Sequence, residues 1–173
     1  HKRNDFFNEK IDQILKYFSC IIKQTLSNTE IFNIFKSNKM VLLFLIKNEI
    51  LSLDTYVINN LLNHKINRLY FYPEIISHVT KEEEQKYYSK KIDTESFEKK
   101  RQIGENDSKI SKIIRNDSIV EFITLVNRTN LPLSTATIRP SIFETNPLLN
   151  EREPTLIEYA SFYGSIQIFN YLK

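Results

Sequence analysis

The sequence predicts an all-α fold: an irregular domain of helical hairpins that merges into helical repeats of α-solenoid type. Three observations carry this. Apolar residues recur at three- and four-residue steps through the first two-thirds of the chain, the spacing of one helix face. Only 2 Gly and 5 Pro occur in 173 residues, too few for the turns of a hairpin-rich β protein or for a phosphate-cradling glycine loop. An apolar content of 41%, with 12% aromatic residues, is enough to build a core and excludes a disordered chain.

Ile11, Ile14, Leu15, Phe18, Ile21, Ile22 and Leu26 form one apolar stripe on a first amphipathic helix. Ser27-Asn28-Thr29 interrupts it, and Ile31, Phe32, Ile34 and Phe35 make a short second helix. Ser37-Asn38 caps a helix from Lys39 to about Asn48, whose apolar run from Met40 to Ile46 is too short to cross a membrane. Asp54 opens a helix bearing Tyr56, Val57, Ile58, Leu61 and Leu62, and Pro73 suits the first turn of a helix over 74–79. Thr80 and Glu83 have the capping-box spacing, and Glu82 with Lys86 makes a supporting pair one turn apart. Asp93 or Thr94 caps a further helix, which Gly104 ends in a left-handed conformation. Residues 1–104 are thus read as an N-terminal helical domain.

Ser108 opens the second region with Ile110, Ile113 and Ile114, and Ser118 starts a helix bearing Ile119, Val120, Phe122, Ile123, Leu125 and Val126. Residues 127–154 then carry Pro132, Pro140, Pro147 and Pro154 among many Thr, Ser and Asn. No helix of useful length fits there, and a long ordered loop is expected. Helix returns at Thr155–Tyr163, breaks at Gly164-Ser165 and resumes at Ile166. Small residues at Ala160 and Ser161 allow close helix approach, and Gly164 permits the left-handed turn that folds one helix back on the other.

The segment Pro154 to Leu172 resembles the two-helix core of an ankyrin repeat, with Thr155, Ile157, Ala160, Ser161, Gly164, Ser165, Ile168, Phe169 and Leu172 on matching positions. Leu156 stands where that repeat has proline, and Glu158 where it has histidine. Ser108 to Val126 is a weaker copy that places Asn116-Asp117 where Tyr163-Gly164 sit later. The step from Asp117 to Gly164 is 47 residues, against about 33 for a standard repeat; the surplus is the loop, an enlarged finger. More broadly, Phe71 to Glu74, Phe97 to Asp107, Ile114 to Phe122 and Ser141 to Asn146 make residues 40–173 resemble a helical domain of unknown function that precedes the ankyrin array in a large family of protozoan proteins. The resemblance implies two divergent ankyrin-like repeats at 105–173 and a non-catalytic role in protein–protein interaction, as the N-terminal capping region of an array. It implies no catalytic residue. A terminal repeat needs a polar outer face, so an apolar helix up to Lys173 predicts that the array continues.

The loop is the candidate partner-binding segment, through Asn130, Thr145, Asn146, Asn150, Glu151 and Arg152, while Thr155, Ala160, Ser161 and Gly164 define the repeat. The competing expectation is that Ile138, Ile142, Phe143 and Leu148 pin the loop to the helices.

Other chemistry is weakly represented. His1, His64 and His78 are far apart and remote from Cys20, so no metal and no cofactor is expected. The single Cys20 is read as a core residue and suits a reducing, cytoplasmic setting; no secretory leader is visible. The acid run Glu82-Glu83-Glu84 suits a helix start better than acid–base catalysis. Net charge is +3, with basic clusters at Lys90-Lys91 and Lys99-Lys100-Arg101 and aromatic runs at Leu69 to Tyr72 and Tyr87-Tyr88. These keep one alternative open, a basic helical nucleic-acid-binding module.

Overall fold

Helix ends in this protein are set by side chains that the sequence places one turn away. The computed structural model describes residues 2–82, 93–150 and 152–173, with residues 2–9, 12 and 150 described by their backbone alone. The described residues are largely helical, and the sole extended pairing among them is a bridge between Thr137 and Thr155. No helix among them is long and apolar enough to cross a membrane. The Thr80–Glu83 capping box, the Glu82–Lys86 pair, Lys90-Lys91, Tyr87-Tyr88 and Glu151 lie wholly or partly outside the described residues. The chain divides into two units, His1–Gly104 and Glu105–Lys173.

The first unit comprises α1 (Lys2–Thr25), α2 (Asn28–Phe35), α3 (Lys39–Lys47), α4 (Thr55–Asn63), α5 (Lys65–Tyr70), α6 (Tyr72–Ile75), a 3-10 turn (Ile76–His78) and α7 (Thr94–Ile103). Ser27 and Glu30 close a reciprocal capping box on α2, and Asn38, Asp54 and Asp93 cap α3, α4 and α7. Gly104 ends α7 at φ 67°. The carboxamide of Asn28 is a brace: it donates to the Ser52 carbonyl at 2.9 Å and to Asp54 Oδ2 at 2.6 Å, and accepts from the Ser52 amide at 2.8 Å. The start of α2 is thereby tied to the start of α4.

Leu15, Ile31, Phe32, Leu42, Leu45, Val57, Leu61, Tyr70, Phe71 and Ile75 form the core of this unit. The aromatic run at 69–72 is therefore core in its centre. The first helix departs from the single stripe expected of it. Ile11, Leu15, Ile22 and Leu26 face the core, whereas Ile14, Phe18 and Ile21 are exposed. Cys20 is exposed as well, which corrects the reading of it as a core residue: two positions from Ile22 is a rotation of about 200°, the opposite side of the helix.

The last helix of the unit is polar, and only Phe97 and Arg101 of α7 are buried. Arg101, 2% exposed, reaches both carboxylate oxygens of Glu74 at 2.9 Å and Glu98 Oε1 at 2.8 Å. Its guanidinium also lies 5.1 Å from the Tyr70 ring centroid and 5.5 Å from that of Phe97. Burial pushes the Tyr70 phenol up to about 12, so the ring stays neutral beside the cation.

The second unit comprises α8 (Lys109–Arg115), α9 (Ile119–Thr129), α10 (Pro147–Asn150), α11 (Leu156–Tyr163) and α12 (Ile166–Leu172). Its core gathers Ile113, Ile114, Phe122, Val126, Ile138, Leu149, Leu156, Tyr159, Ala160 and Ile168. Helix α8 lies against α9 and α11 against α12, with α8 also against α11 and α9 against α12.

Removing Arg101 leaves Glu74 uncompensated in a nearly closed site, so Arg101→Ala should lower the first unit's stability by about 3 kcal/mol, read by urea denaturation. Lys99→Ala, which breaks the exposed pair with Glu95, should change it little. Stability should also depend on pH through the caps. Hydrogen bonds from Ser27 hold the Glu30 carboxyl below 4.5, those from Thr155 do the same for Glu158, and the Val57 amide with the Asn28 side chain holds Asp54 below 3.8. Folded values below the unfolded ones mean that this stability is complete above the unfolded values and is lost as pH falls through the folded ones. Glu30→Gln with Glu158→Gln should therefore flatten the fall of the urea midpoint below about pH 4.5.

Candidate interaction surface of the two-hairpin unit

The two hairpins turn in the same way. Asp117 (φ 49°) and Gly164 (φ 68°) hold the left-handed position, and the serine after each has nearly identical angles: Ser118 at −81°, 76° and Ser165 at −79°, 79°. In both turns the left-handed residue's amide bonds three residues back, Asp117 to Ile114 and Gly164 to Ser161. The serine's amide bonds five back, Ser118 to Ile113 and Ser165 to Ala160. These paired bonds satisfy carbonyls that a helix end otherwise strands.

Beyond the turn the two hairpins diverge. Neither Ser118 nor Ser165 caps its own helix. The Ser165 hydroxyl instead donates to the Ile114 carbonyl in the other hairpin, in a buried site. The free amides at the start of α12 are taken by Asp117, whose carboxylate accepts from Gln167 N and Ile168 N, each at 3.0 Å. One hairpin thus caps the other. Arg115 strengthens the junction: Nε lies 2.9 Å from Glu105 Oε2, and Nη1 donates to Tyr159 Oη at 2.9 Å and to the Asn106 carbonyl at 2.8 Å. Burial raises the phenols of Tyr159 and Tyr163, with Glu144 adding to the rise at Tyr163. Both remain neutral across the physiological range.

Between Ala136 and Glu144 the loop is tied to its surroundings. Ser141 Oγ donates to Asp107 Oδ1 at 2.9 Å, Asn106 Nδ2 donates to the Arg139 carbonyl at 2.8 Å, and Glu144 Oε2 accepts from the Asn106 amide at 3.2 Å. Its middle is joined to its C-terminal end by bonds from Ile138 N to the Pro154 carbonyl and from Leu156 N to the Ala136 carbonyl. Ile138, Phe143 and Leu149 are buried. Leu148, expected among the pinning residues, is 69% exposed; the α10 turn directs its neighbour Leu149 inward instead.

The candidate partner-binding residues differ in exposure and in what they bond. Asn130 is exposed and ends α9 in the left-handed conformation at φ 48°. Thr145 and Asn146 are half-buried, and Asn146 Oδ1 accepts from the Leu148 amide at 3.0 Å, a structural task. Asn150 ends α10, Glu151 lies outside the described residues, and Arg152 is exposed. Among the repeat-defining residues, Thr155 caps α11 in a capping box with Glu158, Ala160 is fully buried, and Gly164 is left-handed. Ser161 is exposed, so close helix approach rests on Ala160. The capping box explains why glutamate suits position 158. Asp117 and Ser165 stand at turn positions that the sequence marks, but nothing local shows their bonds to the other hairpin, and Arg115 and Asn106 carry no mark at all.

Of the cations at Lys99-Lys100-Arg101, Lys99 pairs with Glu95 at 2.6 Å and Arg101 is buried. Among the described residues, no three His, Cys, Asp or Glu side chains are grouped to hold a metal ion.

Asp117→Ala removes the cap of α12 and should cost the second unit about 1 kcal/mol. Gly164→Ala forces a Cβ into a left-handed position and should cost about 1 kcal/mol as well, although no atom lies within 4 Å of that Cβ. Urea denaturation checks both. Comparison of the chain with protein-family models, with curated proteins and with solved structures finds no match in any of the three.

Proposed function

We propose that this chain is a non-catalytic protein–protein interaction scaffold in which residues 105–173 are two divergent ankyrin-like repeats with an enlarged finger. The observation that supports the reading is the duplicated turn at Asp117 and Gly164 together with the hydrogen bonds that run from one hairpin to the next. Repeats of this kind bury a continuous core by stacking, and bind partners on the surface that their fingers and helix faces create. The finger here is held rigid by Asn106, Asp107 and Glu144, so residues on its outer side bind without a large ordering cost. Arg139, Leu148 and Arg152 are exposed on it. The reading is of an intracellular, cytoplasmic protein, the setting that suits a lone thiol at Cys20.

The test is affinity purification of the protein from its own cells, with mass-spectrometric identification of what comes with it. Deleting the finger is a poor control, because Ile138, Phe143 and Leu149 belong to the core. The better control carries Leu148→Asp and Arg152→Glu, both at exposed positions. A protein recovered in stoichiometric amount with the natural chain, and reduced at least tenfold with the variant, supports a finger-centred scaffold. Recovery of nucleic acid in place of protein would refute it.

A further inference from the structure

The two hairpins share a turn but not an outer face, and the difference identifies a second surface. In the 47-residue register that aligns Asp117 with Gly164, the residues of the second hairpin that meet the first are Tyr159, Tyr163, Ile168 and Tyr171. Their counterparts in the first hairpin are Lys112, Asn116, Glu121 and Thr124, all exposed. An aromatic stacking face has become a polar one. The turn that joins the two helices of this face nevertheless has the same backbone angles as the turn of the second hairpin.

A groove of about 330 Å³ crosses this polar face. Ile113 and Leu125 form its floor, Val120 stands at its edge 75% exposed, and Lys109, Glu121 and Arg128 line its rim. Lys109, Lys112, Glu121 and Arg128 are in no ion pair among the described residues. Three cations against one carboxylate give the face a positive excess around an apolar strip.

We propose that this groove binds an amphipathic helix of a partner protein, one that lays an apolar stripe over Ile113, Val120 and Leu125 and flanks it with acidic residues facing Lys109, Lys112 and Arg128. The helix form follows from the equivalent face, which is covered by helices. The acidic flanks follow from charge, and the apolar floor disfavours a nucleic-acid backbone, which needs phosphate contacts along its length. The volume accommodates one or two anchoring side chains, the scale of a reversible helix-in-groove contact. The inference rests on the scaffold reading for its biological sense, but it concerns a different face from the finger.

The test is selection of a displayed library of helical peptides on the intact protein, followed by fluorescence anisotropy with a selected labelled peptide. Enrichment of peptides with leucine or isoleucine on one face and aspartate or glutamate beside it is expected. Binding should weaken at least tenfold in the Lys109→Glu, Arg128→Glu double variant and in Val120→Ser, with thermal unfolding of each unchanged. No enrichment, enrichment of basic peptides, or equal affinity in these variants would overturn the proposal. So would a labelled oligonucleotide that binds this face more tightly than any peptide. Because the finger residues are untouched, failure of every acidic amphipathic peptide to bind the natural chain, with finger-dependent partner recovery intact, would remove this proposal alone.

Discussion

Helix α12 begins without a cap of its own, and the second unit is organised around how that need is met. The carboxylate of Asp117 accepts from the amides of Gln167 and Ile168, across a separation of about fifty residues in the chain. In return, Ser165 gives its hydroxyl to the Ile114 carbonyl. The first hairpin thus completes the backbone hydrogen bonding of the second, and the second adds a side-chain donor to a carbonyl that already accepts from the Asp117 amide. Ser165 is buried, and a buried hydroxyl left unpaired costs more than its pair gains, so the second hairpin depends on the Ile114 carbonyl of the first. The apolar contacts between α8 and α11 and between α9 and α12 are held in one register by these bonds.

The same logic extends to the finger. A loop of this length would ordinarily be a source of disorder, but Asn106 and Asp107, just ahead of α8, hold it through Arg139, Ser141 and Glu144. The bridge between Thr137 and Thr155 closes its base beside the cap of α11. The loop thus contributes core residues inward and leaves Arg139, Leu148 and Arg152 outward. The first unit solves a related problem differently: its polar last helix is anchored by Arg101 between two carboxylates and two rings.

Much of this is legible in the sequence because it is local. Asn38, Asp54, Asp93 and Thr155 cap helices three residues from the amides they accept from, and Gly164 marks a left-handed turn. All-helical structure follows from such signals. The hidden part depends on residues far apart in sequence. Nothing in the local pattern says that Asn28 braces Ser52 and Asp54, or that Arg101 is buried rather than part of a basic cluster. Helical phase misleads at Cys20 and along Ile14, Phe18 and Ile21, where an apolar residue type does not mark a core position. At Leu148 and Leu149 a choice between two identical neighbours is decided by a four-residue helix that propensity alone does not reveal. In the candidate surface, the finger is recognisable as a segment, while the residues that fix its shape lie before α8.

The most direct measurement of the central claim is amide hydrogen exchange at Gln167 and Ile168. Helix-start amides normally exchange fast because nothing accepts from them. If Asp117 caps α12 across the hairpins, both amides should be protected to the level of the α11 interior, and Asp117→Ala should release them while leaving the α8 amides protected. Fast exchange at both positions in the natural chain would contradict the account, since the two hairpins would then be packed together without the bond on which their register is argued to depend.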